Sequence, residues 1–194
     1  MDLLKKSVNK LLEAFGDMAR LSPKAENAFL STLEKRQVAK KELLQKEGTI
    51  CNDVYFVEEG IARTFYYRDG KDITYWIAAE NEFVGAMGSF FSRKPSNKLV
   101  ETLEDCILWV FNYHKLEKLY ASMHELEHMG RAFANYGITL LEEKFDKSHF
   151  LSARQRYAIL LEKNPTVLQR VPLGMIASYL GITQETLSRI RSRN

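Results

Sequence analysis

Cysteine is scarce: the 194 residues contain two, Cys51 and Cys106. They stand far apart, with no C-x-x-C and no His/Cys ligand spacing, which argues against a disulfide framework, a zinc ribbon and a cysteine-ligated iron–sulfur cluster. No apolar run approaches the length needed to span a bilayer. Lys5, Lys6, Asn9, Lys10 and Glu13 interrupt the N-terminal segment where a secretory signal would need an apolar stretch. A cytoplasmic protein without membrane attachment is expected. Catalytic patterns are missing too. No Ser-His-Asp or Cys-His set can be placed, and no glycine loop has phosphate-cradling spacing, so an enzyme is not expected. His124 and His128 lie at i, i+4 beside Glu125 and Glu127, but without a third ligand they read as a solvated helix face; no metal and no cofactor are implied.

What the chain does have is 45% hydrophobic and 11% aromatic residues, enough for a real core. Its C-terminal stretch, Leu173-Gly-Met-Ile-Ala-Ser-Tyr-Leu-Gly-Ile-Thr-Gln-Glu-Thr-Leu-Ser-Arg-Ile-Arg-Ser192, reads as a helix-turn-helix. Ala177 is small enough for two crossing helices to touch, and Gly181 suits the positive φ of a tight helix exit. Ile176, Leu180, Ile182, Leu187 and Ile190 fall on inward faces. Thr183 is placed to cap the second helix, and Gln184, Glu185, Ser188 and Arg189 lie near its N-terminus on the outer face, the part of a recognition helix that meets base edges. Charge agrees. From Ser148 to Asn194 there are seven basic residues (Arg154, Arg156, Lys163, Arg170, Arg189, Arg191, Arg193) and two acidic ones, a net of +5, whereas the rest of the chain carries −2. A basic end can neutralise phosphates, so double-stranded DNA is the expected partner.

Periodicity divides the remainder. Helical spacing from Leu3 to Arg20 (Leu4, Val8, Leu11, Leu12, Phe15) is followed by a second helix from Pro23 through Leu33, capped by Ser22. Between Val38 and Phe111 the pattern turns strand-like at 42–44, 54–57, 61–67, 73–77 and 106–111. Turn signals stand at Gly48, Gly60, Asp69-Gly70, Asn81 and Pro95-Ser96, which suggests a barrel or jelly roll. Residues 116–144 can be read as heptads, with Leu119, Leu126, Phe133 and Leu140 at d and Leu116, Met123, Gly130 and Gly137 at a. Each interior glycine costs about 1 kcal/mol relative to alanine. Close approach of a second copy of the helix would offset that cost, so a homodimer is expected through Leu119, Leu126, Gly130, Phe133, Gly137 and Leu140.

Over nearly its whole length the chain resembles Crp/Fnr-family transcription regulators. The resemblance is carried by Leu44-Gln-Lys-Glu-Gly48, Val54-Tyr-Phe-Val-Glu-Glu-Gly60, Asp69-Gly-Lys71 and Asn81-Glu-Phe-Val-Gly85, by Ala177 and Gly181, and by Glu185-x-x-Ser188-Arg189. It implies an α+β chain in three parts: a double-stranded β-helix (jelly-roll) sensor domain with N-terminal helices at 1–112, a dimerisation helix at 113–147, and a helix-turn-helix domain at 148–194. It implies a dimeric, sequence-specific regulator bound to an inverted-repeat operator, with RNA polymerase as a further partner and a small-molecule effector of unknown identity. The Glu-x-x-Ser-Arg set resembles readers of a TTGA-type half-site. Arg189 is then expected to take a guanine bidentately, Glu185 to accept from a cytosine amino group, Gln184 and Ser188 to support them, and Thr183 and Arg191 to flank them.

Relatives that bind cyclic AMP use a Gly-Glu pair on the ribose and an Arg-Ser pair on the cyclic phosphate. Here the corresponding effector-pocket positions are Gly85, Ala86 and Pro95-Ser96, so both charged anchors are missing and cyclic AMP control is not expected. Arg93 or Lys94 could supply a replacement cation but read rather as solvated loop charges, and Tyr66, Tyr67, Tyr75, Trp76, Phe83, Phe90 and Phe91 could surround an apolar ligand but at alternating positions read rather as core. The chain ends at Asn194, soon after the recognition helix, so no β-hairpin wing is expected and Arg191 and Arg193 would replace part of its backbone contact. The alternative reading is a ligand-binding or protein-interaction module whose DNA-binding domain is degenerate.

Overall fold

Two four-stranded antiparallel sheets face each other, as a computed structural model describing residues 20–192 makes visible. The expected helix over 3–20 falls almost wholly outside the described residues, as does Arg193. The strands are β1 (Glu34–Val38), β2 (Leu43–Gln45), β3 (Asp53–Glu59), β4 (Ala62–Arg68), β5 (Lys71–Ala78), β6 (Phe83–Val84), β7 (Leu99–Thr102) and β8 (Cys106–Asn112). One sheet runs β1-β8-β3-β6 and the other β2-β7-β4-β5. This is the expected jelly roll. Asp69 and Gly70, both with positive φ (51° and 72°), form the two-residue turn between β4 and β5. Gly60 (φ 103°) is required at the β3–β4 corner, because a Cβ there would lie 2.6 Å from the Cys106 sulfur.

Three strands escape the sequence pattern. β1 (Glu-Lys-Arg-Gln-Val) carries charged residues at an edge, β6 is two residues long, and β7 alternates over only four. Val54, Tyr55, Phe56 and Val57 are all buried because both faces of β3 are covered. Tyr55 and Val57 join Leu108, Val110, Val84 and Val100 between the sheets. Val54 and Phe56 join Trp109 and Phe111 on the outer face, beneath helices.

Those helices are α1 (Pro23–Leu30), α2 (Met87–Ser92), α3 (Tyr113–Ser122) and α4 (His124–Phe150). Ser22 caps α1 by accepting from the Ala25 N–H, and the helix stops three residues before the expected Leu33. The single helix expected over 116–144 is broken at Met123, whose backbone is extended (φ −141°, ψ 106°). In a straight helix Tyr120 and Gly130 would stand about 15 Å apart. The break folds Tyr120 back onto Gly130 so closely that a Cβ there would sit 2.6 Å from the ring.

Several residues of the expected dimer seam pack against their own chain. Gly130 accommodates its own chain's Tyr120, Leu126 is fully buried against the β-roll, Leu119 packs on the same core, and the Phe133 ring lies 4.7 Å from Phe83. An exposed apolar stripe lies one position further round the helix, at Ile138 (62% exposed), Leu141 (49%) and Phe145 (59%), the last stacked on His149 at 3.9 Å. Gly137, with open space beside it, and the partly exposed Leu140 border it. Among the described residues no helix is long and apolar enough to cross a membrane.

The remaining helices, α5 (Ala153–Lys163), α6 (Val167–Arg170), α7 (Leu173–Tyr179) and α8 (Gln184–Arg191), form a third core around Ile176, Leu180 and Leu187. Ser152 and Gln155 make a capping box at the start of α5. The group docks on the β-roll through Ile61, Ile77 and Leu103, and polar contacts fix the docking. Arg170 donates to Glu80 (2.6 and 2.9 Å) and to Glu104, Lys163 meets Glu82 at 2.5 Å, and the Thr74 N–H donates to the Ser178 hydroxyl at 2.9 Å. From α4, the Lys144 ammonium donates to the Tyr75 carbonyl and lies 4.2 Å from the Tyr75 ring and 4.9 Å from that of Tyr179. Burial, with Lys98 nearby, pushes Lys144 down to about 8.

The Arg170 hydrogen bonds hold the Glu80 carboxyl down to about 2 from the ordinary 4.5. A depressed carboxylate stabilises the fold above its unfolded value and loses that contribution as pH falls through the folded one. Stability, followed by thermal unfolding, should therefore drop between pH 4.5 and about 2. Arg170→Ala should flatten that drop and cost about 1–2 kcal/mol at neutral pH, the pair being partly solvent-screened.

Candidate nucleic-acid interface

The geometry of the helix pair follows from a few residues. Gly181 (φ 67°) and the bond from the Ile182 N–H to the Ala177 carbonyl (3.0 Å) close the exit of α7. Thr183 caps α8 by accepting from the Thr186 N–H at 3.2 Å. Leu187 is fully buried and Ala177 2% exposed, so the two helices are seated by the residues the sequence points to. Thr183, Gln184, Glu185, Ser188, Arg189 and Arg191 are all exposed on α8 and its cap. Hydrogen bonds from its own backbone N–H and from Thr183, with Arg189 nearby, hold the Glu185 carboxyl below the usual carboxylate range. An ionised acceptor, a guanidinium and two short polar side chains on one face of a capped helix can hydrogen-bond base edges in a major groove.

The basic surplus is smaller than the sequence count. Arg170 and Lys163 are engaged by β-roll carboxylates, and Arg156 donates to the carbonyls of Leu151 (2.6 Å) and Leu180 (3.1 Å). These partners lie 24 to 90 residues away along the chain, apart from Leu151, and no local spacing announces them. Arg189 and Arg191 remain on the exposed face of α8.

The effector-pocket residues are likewise occupied by their own chain. The Gly85 carbonyl accepts from the Thr64 hydroxyl (3.2 Å), and Ala86 is 1% exposed. The Ser96 hydroxyl donates to the Lys98 carbonyl and accepts from the Lys98 N–H. Arg93, read from the sequence as a solvated loop charge, instead donates to the carbonyls of Cys51 (2.8 Å) and Phe90 (3.1 Å) and stacks 3.7 Å above Tyr113. The aromatic residues named with the cassette do not share a pocket: Tyr67 is 58% exposed, Tyr75 lies under Lys144, and Phe83, Phe90 and Phe91 face the helices. His124 and His128 stand on the outer side of α4, beside Glu127 and Arg131.

Residues 35–123 match the cyclic nucleotide-binding domain. The chain is 33% identical over 86 residues to the anaerobic regulatory protein of Bacillus subtilis (strain 168), a match that covers 43% of this chain and 36% of that protein. The chain thus spans just over a third of that relative's length. It superposes on FixK2 from Bradyrhizobium japonicum with a TM-score of 0.69 at 18% identity, over 84% of each chain. A transcriptional regulator of the Crp/Fnr family from Eubacterium rectale gives 0.61 at 17% identity, over 89% of this chain and 83% of that one.

Residues 35–123 thus match the cyclic nucleotide-binding domain, and the chain shares the fold of these two solved proteins. The missing Glu and Arg of the cyclic AMP cassette carry a definite expectation. Calorimetry with cyclic AMP or cyclic GMP should detect no binding tighter than about 1 mM, because neither ribose nor phosphate finds its charged anchor. Micromolar affinity would mean that the loop between Gly85 and Val100 rearranges to supply one.

Proposed function

We propose that this chain is a cytoplasmic, homodimeric transcription regulator that reads an inverted-repeat DNA operator with two copies of α8, with RNA polymerase as a further partner and a small effector as its control. The observation that carries the reading is the outward set Gln184, Glu185, Ser188 and Arg189, held on a helix whose other face is anchored by the fully buried Leu187. Arg189 takes the bidentate guanine contact, Glu185 accepts from a cytosine amino group, and Arg191 meets the backbone. Dimerisation is assigned to the second half of α4 through Ile138, Leu141 and Phe145, with Gly137 allowing close approach. Resemblance to an anaerobic regulatory protein and to a Crp/Fnr transcriptional regulator supports the regulator class.

Selection from random duplexes tests the proposal. Enrichment should yield an inverted repeat whose half-sites are centred about one helical turn, roughly 34 Å, apart. Recovery of no motif would favour the reading of a ligand-binding module with a degenerate DNA-binding domain.

A further inference from the structure

Three turns of the β-roll, β3–β4, β5–β6 and β7–β8, meet at one corner, where the Leu103 N–H donates to the Ile61 carbonyl (2.7 Å) and the Gly60 N–H to the Glu80 carboxylate (3.0 Å). The corner gives Ile61, Ala79 and Leu103 to the apolar contact with α5 to α8, and it carries three carboxylates, Glu80, Glu82 and Glu104. Glu80 and Glu82 are positioned by the roll itself. Besides the Gly60 bond, the Ala79 N–H donates to Glu82 at 3.0 Å. Arg170 and Lys163 then complete the pairs from the helical side, with Arg170 bridging Glu80 and Glu104.

The same contacts occupy groups that a DNA backbone would use. In a helix pair of this kind the first helix crosses the backbone. Here that helix, α7, is laid against β5, the edge strand of its sheet, and its Ser178 hydroxyl accepts from the Thr74 N–H. Arg170 stands three residues before the start of α7. Its two partners are carboxylates, which match a phosphate in charge and in accepting hydrogen bonds from a guanidinium. The pairs are partly exposed, with 24% of the Arg170 side chain and 58% of the Lys163 side chain reaching solvent, so they are weak enough to be exchanged for phosphates.

We propose that this corner is an autoinhibitory clamp, in which Glu80, Glu82 and Glu104 hold Arg170 and Lys163 and withhold them from DNA phosphates. The inference rests on the DNA-reading proposal and adds a control to it. Docked, the helical group presents Arg189 and Arg191 on α8; undocked, it presents Arg170, Lys163 and the β5 side of α7 as well. Whatever shifts the chain between the two arrangements then sets its affinity for DNA.

The experiment compares the full wild-type chain with Glu80→Gln/Glu104→Gln, which removes both charges and keeps an acceptor for the Gly60 N–H. Hydrogen exchange at the Thr74 N–H, followed without DNA, should quicken about tenfold. Binding to a duplex of random sequence should tighten about fivefold or more at low salt, with a salt slope steeper by about one per chain. Glu82→Gln, which releases Lys163 and keeps an acceptor for the Ala79 N–H, should act in the same direction and serves if the double variant does not fold. Arg170→Ala should quicken exchange too but leave the salt slope at its wild-type value, a difference that a purely structural contact would not produce. Unchanged exchange, or faster exchange with unchanged or weaker duplex binding, would overturn the clamp. Absence of duplex binding in the wild type and every variant would overturn the regulator reading and the clamp with it, and is thereby told apart from failure of the clamp alone.

Discussion

Leu141→Glu should turn the protein into monomers in sedimentation and weaken binding to a full inverted repeat by about a hundredfold or more. Leu141 is 49% exposed in the single chain and lies between Ile138 and Phe145 on the exposed apolar stripe of α4. A charge there therefore costs the monomer fold little, within about 0.5 kcal/mol. In a dimer the same carboxylate would be desolvated against its symmetry mate, which is strongly unfavourable. Two linked recognition helices gain effective concentration from each other, and a monomer forfeits that gain. Phe133→Glu is expected to behave differently. Phe133 packs on Phe83 and Phe91 of its own chain, so its replacement should lower stability by about 3–5 kcal/mol before it says anything about association. A dimer that survives Leu141→Glu would place the interface on another surface.

The second large effect concerns base readout. Arg189→Ala should cost about 1–3 kcal/mol on the preferred operator and relax preference at one guanine, because a bidentate base contact carries sequence information. Arg191→Ala should weaken all sequences alike and reduce the salt slope by about one, as expected of a phosphate contact. Both side chains are exposed, so neither change should disturb the fold. In the free protein Arg189 rests against the Thr186 hydroxyl at 3.3 Å, a single weak contact that binding can exchange for a base.

The parts of the molecule legible in the sequence are those fixed by local rules. The Ser22 and Thr183 caps, the Asp69-Gly70 turn and the inward set Ile176, Ala177, Leu180 and Leu187 all follow from residue type and spacing. The sheet's charged edge at Glu34–Val38 was hidden because its pairing partner, β8, lies about 70 residues away. The break at Met123 was hidden because a heptad count treats every apolar residue as available to a partner helix. Here Leu126, Met129 and Phe133 are drawn to the β-roll, and the exposed apolar residues of the helix are Ile138, Leu141 and Phe145. Charge was the least legible feature. Seven basic residues suggested a broad phosphate-binding end, whereas Arg156, Lys163 and Arg170 are held by groups of their own chain.

The central claim is that α8 reads DNA sequence, and the most direct test is binding of the wild type, Arg189→Ala and Arg191→Ala to one duplex library at two salt concentrations. The expected result is a loss of discrimination confined to one position of each half-site for Arg189→Ala, and a uniform loss with a shallower salt slope for Arg191→Ala. Uniform and equal losses for the two variants would contradict the claim.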